Sequence, residues 1–276
     1  MEPSVYTLPL KGKPVRYLSL NREAAMTVIL LHGFPESGRI FDAQIKALAQ
    51  DYHLIVPDLP GSGNSDYNPQ LTSIEDFAEI IKQIIDTEKK SQVVLIGHSM
   101  GGYIALGFAA KYPAFIAGLG LLHSTAYADS PEKKVNRIKA IQTMEQYGGP
   151  SFLKSMIPAL FGSSFKSRHP EIIQNLIEQG ARFDTRALQQ YYQIMHDRTD
   201  RTELFKSLSV PYLFISGTQD QAAPKNDLIH QCSMADVALI AILDEAGHMG
   251  FMEQPDQVNL QLIHFLLLVK TLQSHV

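Results

Sequence analysis

The chain has 276 residues, of which 45% are hydrophobic and 19% charged, so it is long and apolar enough to build a large globular core. A formal net charge of −4 provides no electrostatic attraction for nucleic acid or an anionic membrane, and we expect neither as a partner. The single cysteine, Cys232, excludes an internal disulfide, and no signal-type segment opens the chain, so we expect a cytoplasmic protein. Nothing in the composition indicates an oligomeric state.

Short apolar runs recur along the chain and predict eight strands. They are Val5–Leu8, Val15–Leu20, Val28–His32, Leu54–Pro57, Val93–Ile96, Ala117–Leu122, Tyr212–Ser216 and Val237–Leu243. The first two are separated by Lys-Gly-Lys-Pro at 11–14 and are typical of a hairpin.

Helical periodicity lies between the early strands. Apolar side chains at helical spacing predict one helix within 41–52 and another within 74–85, the second opened by a capping box at Thr72-Ser-Ile-Glu75. Strands that alternate with helices predict a mostly parallel sheet flanked by helices. The alternation stops in 125–206, where the pattern is helical only, so we predict a core of 1–124 and 207–276 with a helical cap inserted between them.

The most informative segment is Val94-Leu-Ile-Gly-His-Ser-Met-Gly-Gly102, in which Ser99 lies between glycines. A GxSxG pattern alone is weak, but here an apolar strand precedes it and a helix that we expect to be amphipathic follows, ending at Pro113. This context predicts a nucleophile elbow, a sharp strand-to-helix turn that exposes the serine hydroxyl. The backbone N–H of Met100 would then be one donor to an oxyanion.

The partners that such a serine requires also follow predicted strands. His32-Gly33-Phe34 follows the third strand, Asp220 the seventh and His248 the eighth. The carboxyl ends of parallel strands meet at one edge of a sheet, where functional groups gather, so these residues should come near Ser99. We therefore assign Ser99 as nucleophile, His248 as base and Asp220 as the acid that orients His248, preferring Asp220 to its rival Asp244.

These residues resemble those of α/β-hydrolase-fold serine hydrolases with a helical cap, and most of all carboxylesterases and enol-lactonases of that group. The resemblance covers about 1–123 and 207–276. It depends on these motifs: His32-Gly-Phe-Pro35, Asp58-Leu-Pro-Gly-Ser-Gly-Asn-Ser65, Gly97-His-Ser-Met-Gly-Gly102, Gly217-Thr-Gln-Asp220 and Gly247-His248. It implies that the amide of Phe34 is the second oxyanion donor and that the insertion is a lid. It also implies hydrolysis of an ester, thioester or lactone of a small, largely apolar molecule through an acyl-serine intermediate, with no cofactor.

Departures from other branches narrow the reaction. Haloalkane dehalogenases and epoxide hydrolases of this fold carry aspartate at the position of Ser99. Proline iminopeptidases usually have tryptophan where this chain has Met100, and the absence of tryptophan also weighs against perhydrolases. Two alternatives stay open: a carbon–carbon bond hydrolase of ring-cleavage diketones with the same triad, and a ligand-binding protein that does not hydrolyse.

Substrate contacts are harder to assign. The candidates are His32, Phe161, Phe165 and Met249, although most aromatic residues of a cap simply pack it onto the core. Arg137 and Arg186 could hold a substrate carboxylate, although solvated surface arginines are commoner. The Gly-Ser-Gly at 61–63 lacks the third glycine of a dinucleotide fingerprint, and no spacing suggests a metal site, so we expect neither nucleotide nor metal.

Overall fold

All eight predicted strands form one sheet in the computed structural model, which describes residues 4–10 and 13–274. The strands are β1 Ser4–Leu8, β2 Val15–Leu20, β3 Thr27–Leu31, β4 His53–Pro57, β5 Val93–His98, β6 Ile116–Leu122, β7 Tyr212–Gly217 and β8 Ala238–Leu243. Their order across the sheet is β1-β2-β4-β3-β5-β6-β7-β8.

The sheet is parallel from β4 to β8 and antiparallel at one edge. β1 pairs with β2 from Ser4↔Ser19 to Leu8↔Val15, and β2 pairs with β4, both antiparallel. The predicted hairpin is thus paired, while Lys11 and Gly12 of its connection lie outside the described residues. All other neighbours run parallel, which confirms the predicted fold class.

Helices surround this sheet. Their bounds are α1 Asp42–Leu48, α2 Ile74–Thr87, α3 Met100–Lys111, α4 Pro131–Tyr147, α5 Gly149–Met156, α6 Ser163–Arg168, α7 Pro170–Gly180, α8 Thr185–Asp197, α9 Leu204–Ser207, α10 Lys225–Cys232, α11 Gly250–Glu253 and α12 Pro255–Gln273.

The central strand β6 shows that helices cover both faces. Gly118 faces α12, where an added Cβ would lie 2.8 Å from Val269, whereas the side chain of Leu121 packs on Gly102 of α3. Residues an odd number apart on a strand point to opposite faces, so α3 and α12 lie on opposite sides of the sheet.

Two local expectations are wrong. The helix after Ser99, α3, is buried all round from Met100 to Ala109 rather than amphipathic, because it packs on the sheet and is itself covered by α2 and α9. The capping box of α2 lies one residue later than predicted. The Ser73 hydroxyl accepts from the Asp76 amide, while the Asp76 carboxylate accepts from the Ser73 amide.

Only helices lie between β6 and β7 in the region predicted as the cap. α4, α5, α7 and α8 contact one another, and both α8 and the segment at 160–162 contact the core. The Tyr191 hydroxyl donates to the carbonyl of Pro60 at 2.8 Å, and the ring of Tyr192 contacts that of Phe34 with centroids 4.7 Å apart. Among residues 4–10 and 13–274, no helix is both long and apolar enough to cross a bilayer.

Candidate active site

Ser99 lies at a strained turn between β5 and α3. Its φ of 49° and ψ of −115° fall in a region that L residues rarely adopt. Two close backbone approaches require the flanking glycines. A Cβ on Gly97 would lie 2.3 Å from the backbone of Gly101, and one on Gly101 would lie 2.1 Å from the carbonyl oxygen of Leu31. The side chain of Ser99 is therefore held outward, and its residue is only half-buried.

Asp220 and His248 meet beyond the ends of β7 and β8. His248 Nδ1 lies 3.0 Å from both carboxylate oxygens of Asp220. Oδ1 also accepts from the amides of Ala222 and Ala223, each at 2.9 Å. Burial opposes ionisation of Asp220 and raises its pKa. The charge of His248, together with hydrogen bonds from His248 and His123, outweighs this and holds the pKa of Asp220 well below its usual range. Asp244, the rival acid, instead contacts Thr218.

His248 is correspondingly basic for a buried imidazole. Burial lowers its pKa, but the Coulombic attraction and hydrogen bond of Asp220, with a smaller contribution from Glu36, raise it above the ordinary histidine value. Arg137 acts in the opposite direction and lowers the pKa. An imidazole whose Nδ1 is paired with a carboxylate can take and return a proton at Nε2.

A second histidine shares the same carboxylate. His123 directly follows β6, and its Nδ1 lies 3.0 Å from Oδ2 of Asp220. Burial lowers the pKa of His123 to about 4, so this ring is neutral and donates its Nδ1–H. Its Nε2 is buried and has no hydrogen-bond partner within the described residues.

A buried chain of contacts joins the Phe34 loop to the His248 loop. The carboxylate of Glu36 accepts from the Gly33 amide at 2.8 Å and from His98 Nδ1 at 3.0 Å. His98 Nε2 in turn donates to the carbonyl of His248 at 3.0 Å. Since His98 directly precedes Ser99, three separate segments are held in one arrangement.

The Ser99 hydroxyl forms no hydrogen bond with His248, nor with any other residue in the described ranges. The two residues are neighbours through His98, whose ring centroid lies 4.9 Å from that of His248. Hydrogen bonds between nucleophile and base are often long in proteins without bound substrate. The backbone N–H groups of Phe34 and Met100 likewise find no acceptor in the part of the chain that the structure describes.

The four residues predicted to touch substrate have different surroundings. The ring of His32 is fully buried, with Nδ1 2.8 Å from the Gly33 carbonyl and Nε2 accepting from the Leu59 amide at 2.9 Å. Phe161 and Phe165 are buried and stack on each other at 5.3 Å, and Met249 is buried as well. Contacts of these four residues with substrate stay a prediction.

A cleft of 860 Å³ lies between α7 and the loops at 35–43 and 58–67. Its wall includes Glu36 and Phe251 but neither Ser99 nor His248. It therefore opens beside the candidate site rather than on it.

One side-chain cluster has the composition of metal ligands. Ligand atoms of His123, Asp220 and His248 lie within 4.8 Å of one another, and two histidines with a carboxylate can bind Zn²⁺. Here, however, both Nδ1 atoms are paired with the Asp220 carboxylate by hydrogen bonds at 3.0 Å. The cluster is built as a hydrogen-bonded group.

Sequence reasoning missed Glu36, His98 and His123. Each had a signal, because His123 directly follows a predicted strand, Glu36 follows the His-Gly-Phe-Pro motif, and His98 lies inside GxSxG. Their side-chain partners could not be predicted, because Glu36 and His98 pair across 62 positions and His123 and Asp220 across 97.

A mostly parallel eight-stranded sheet with a serine at a strained strand-to-helix turn defines the class of α/β hydrolases. The chain belongs to the alpha/beta hydrolase family, which matches residues 28–261.

Known relatives include several esterases. The chain is 26% identical over 253 residues to a monoacylglycerol lipase of Bos taurus, covering 87% of this chain and 75% of the relative. A thermophilic esterase of Thermogutta terrifontis, solved with malate bound, is 29% identical with a TM-score of 0.88, covering 98% of this chain and 99% of that one. An enol-lactonase of Burkholderia xenovorans has the same fold at 21% identity and a TM-score of 0.86, covering 95% and 99%. The chain is therefore a hydrolase of this family with esterases among its relatives.

Proposed function

We propose that the protein is a serine hydrolase that cleaves an ester, thioester or lactone of a small, largely apolar molecule through an acyl-Ser99 intermediate. The observation that carries this proposal is the pairing of His248 Nδ1 with Asp220 at 3.0 Å beside the strained turn of Ser99. The esterase relatives support the same reaction class.

In the first half of the proposed reaction, Ser99 Oγ attacks the substrate carbonyl carbon while His248 Nε2 accepts the hydroxyl proton. Asp220 keeps the proton of His248 on Nδ1 and stabilises the imidazolium that forms. The N–H groups of Phe34 and Met100 donate to the oxyanion, consistent with their lack of an acceptor among the described residues. The bond to the leaving group, C–O in an ester or lactone and C–S in a thioester, then breaks as His248 returns the proton to the departing oxygen or sulfur.

In the second half, His248 removes a proton from a water molecule as the water oxygen attacks the acyl carbon. The bond from that carbon to Ser99 Oγ then breaks while His248 returns the proton to Oγ, which releases the acid and free Ser99. We also propose that residues 125–206 act as the lid over this site, because α8 brings Tyr192 against Phe34 of the oxyanion loop.

Labelling and hydrolysis test the proposal together. A fluorophosphonate should modify Ser99, and short p-nitrophenyl esters should be hydrolysed by the wild type. Ser99→Ala should lose labelling and about 10⁶-fold in kcat while keeping the fold, because the hydroxyl has no hydrogen bond to lose. Ser167→Ala, an exposed serine of α6, is the matched control.

Other results would contradict the proposal in distinct ways. A Ser99 that is never labelled, in a folded protein that binds small molecules, indicates the ligand-binding alternative. Turnover of vinylogous diketones but of no ester or lactone indicates the carbon–carbon hydrolase. Activity that persists in Ser99→Ala excludes the acyl-serine intermediate.

A further inference from the structure

Three charged side chains meet where the cap contacts the core, and their charges do not balance. The Asp129 carboxylate faces two guanidinium groups: Arg137 Nε donates to Oδ2 at 3.0 Å, and Arg198 Nη2 lies 2.8 Å from Oδ1. All three side chains are largely withdrawn from water, with exposures of 1% for Asp129, 20% for Arg137 and 3% for Arg198. One positive charge is left over in a poorly solvated place, where an unpaired charge is costly.

Arg137 and Arg198 differ in how many of their guanidinium nitrogens have a partner. Arg198 also donates to the carbonyls of Tyr127 and Met195, at 3.1 and 2.7 Å, so each of its nitrogens has a partner. Arg137 pairs with Asp129 through Nε alone, so neither of its terminal nitrogens is paired with a carboxylate of the residues that the structure describes. A guanidinium with both terminal groups available presents the planar fork that matches a carboxylate.

Aromatic side chains shape the space around this fork. The Arg137 guanidinium lies 4.9 Å from the ring centroid of Tyr192, and Arg198 lies 4.0 Å above the ring of Tyr103. Burial alone would lower the pKa of Arg137, but Coulombic interactions with Tyr103, Asp129 and Tyr192 raise it, so the group stays charged. The hydroxyls of Tyr103 and Tyr192 lie near this guanidinium and bring two further hydrogen-bond donors to it.

This cluster lies next to the candidate catalytic groups. Tyr103 is on α3, one helical turn after Ser99, and the ring of Tyr192 contacts Phe34 of the oxyanion loop at 4.7 Å. The charge of Arg137 is also close enough to lower the pKa of His248. Tyr192, against which Arg137 packs, therefore connects the guanidinium with the oxyanion loop beside Ser99.

We propose that Arg137, with the hydroxyls of Tyr103 and Tyr192, binds a carboxylate of the substrate, so that the ester or lactone is one that carries a free carboxylate a few atoms from the scissile carbonyl. This deepens the function proposed above and rests on it. Arg186, the other candidate, is unsuited because it is exposed and its guanidinium is held by Asp184. The remainder of the substrate stays apolar against the cap.

Two esters of matched size test the proposal. Monoethyl succinate and ethyl 4-oxopentanoate differ in a carboxylate against a methyl ketone at the same end. The wild type should prefer the succinate half-ester in kcat/KM. Arg137→Gln should lower that preference about 10- to 100-fold, mainly through KM, because it loses one charge-assisted pair. A preference unchanged in Arg137→Gln overturns the proposal.

Arg137→Gln should fold, because Asp129 keeps its pair with Arg198. Arg186→Gln is the matched control, since it also removes one cap arginine, and its preference should stay within about twofold of wild type, as expected for an exposed pair. A loss of preference as large in Arg186→Gln as in Arg137→Gln assigns the effect to net charge and overturns the proposal.

Binding without turnover separates the two proposals. Succinate should bind to Ser99→Ala by calorimetry, and the additional change Arg137→Gln should remove that binding. If succinate binds in this way but no ester is hydrolysed and Ser99 is not labelled, the carboxylate site stands and the serine-hydrolase proposal fails. If esters are hydrolysed but inorganic phosphate binds and succinate does not, the carboxylate assignment is overturned.

Discussion

Glu36 and His98 form a fully buried pair across 62 positions of the chain, with His98 Nδ1 2.9 Å from Oε1 and 3.0 Å from Oε2 of the carboxylate. Both ring nitrogens of His98 face acceptors, since Nε2 lies 3.0 Å from the His248 carbonyl. A carboxylate and a carbonyl both accept hydrogen bonds, so the ring of His98 links Glu36 to the His248 loop. This pair fixes the relative positions of the loops that carry Phe34, Ser99 and His248.

Glu36→Gln should therefore lower the free energy of unfolding by about 3 kcal/mol, because removing one charge of a buried pair leaves the other unmatched. Urea denaturation measures this. Glu79→Gln, which breaks an exposed pair with Lys111, is the control and should change stability by at most about 1 kcal/mol.

The Glu36–His98 pair should make the free energy of unfolding depend on pH. Burial raises the pKa of Glu36, but the charge and hydrogen bond of His98 outweigh it and lower the pKa below the ordinary value. A depressed carboxyl pKa stabilises the fold above the unfolded-state value, about 4.3, and this stabilisation is lost as pH falls. The stability difference between wild type and Glu36→Gln should thus narrow in acid, and a constant difference would contradict the ion pair.

Asp220→Asn should lower kcat by about 10⁴-fold at neutral pH, since an amide favours the wrong tautomer of His248. Steady-state hydrolysis of a p-nitrophenyl ester measures this. Asp244→Asn, the equivalent change at the rival acid, should leave kcat near wild type. A large loss in Asp244→Asn instead would require a different assignment of the acid.

His123 should act as a positioning residue for Asp220, because it donates to Oδ2 without facing the reacting groups. His123→Met removes this donor and should lower kcat about tenfold with little change in KM. In His123→Gln the new side chain has a size and backbone preference similar to those of methionine but keeps an N–H donor. This variant should therefore retain most of the activity. Equal losses in both variants would show that only packing is involved.

The dependence of kcat/KM on pH should change when the charge of Arg137 is removed. The ionisable groups near His248 are Asp220, Glu36, His98, His123 and Arg137. Burial lowers the pKa of His248, the two carboxylates raise this pKa, and the charge of Arg137 lowers it. Activity should fall below the His248 pKa, where the base is protonated. Arg137→Gln should move this acidic limb to higher pH, measured as kcat/KM for a neutral ester, whereas Arg186→Gln should not. An unchanged acidic limb in Arg137→Gln would place the Arg137 charge too far from His248 to affect it, and a shift to lower pH would contradict the expected sign.

Asp129 should matter more for stability than Arg137. Asp129→Asn leaves two guanidinium groups facing each other with no carboxylate between them, and should lower the free energy of unfolding by about 3 to 5 kcal/mol. Arg137→Gln leaves the Asp129–Arg198 pair intact and should have a much smaller effect. Thermal and urea denaturation of the two variants compare them directly, and equal losses would contradict this arrangement.

The strands could be predicted from the sequence because each depends on a local property, a short apolar run between turn residues. β3 and β5 are unbroken apolar runs bounded by turn residues, and they are buried on both faces as such runs predict. The start of α2 shows that a local pattern can locate a helix end only to within a residue, because boxes at 72–75 and 73–76 are both compatible with the sequence and the structure forms the second.

The sequence by itself determined the class of fold and the nucleophile candidate, since a strand, a glycine-flanked serine and a helix are contiguous. It could not pair Glu36 with His98, or show that His123 shares Asp220, because those partners are 62 and 97 positions apart. Nor could it separate Arg137 from Arg186, which have similar helical surroundings in the chain. Only the tertiary structure decided that Arg186 is exposed and neutralised by Asp184, whereas Arg137 is largely buried beside a carboxylate that it shares with Arg198. Burial and charge balance depend on which other segments of the chain pack at the same place.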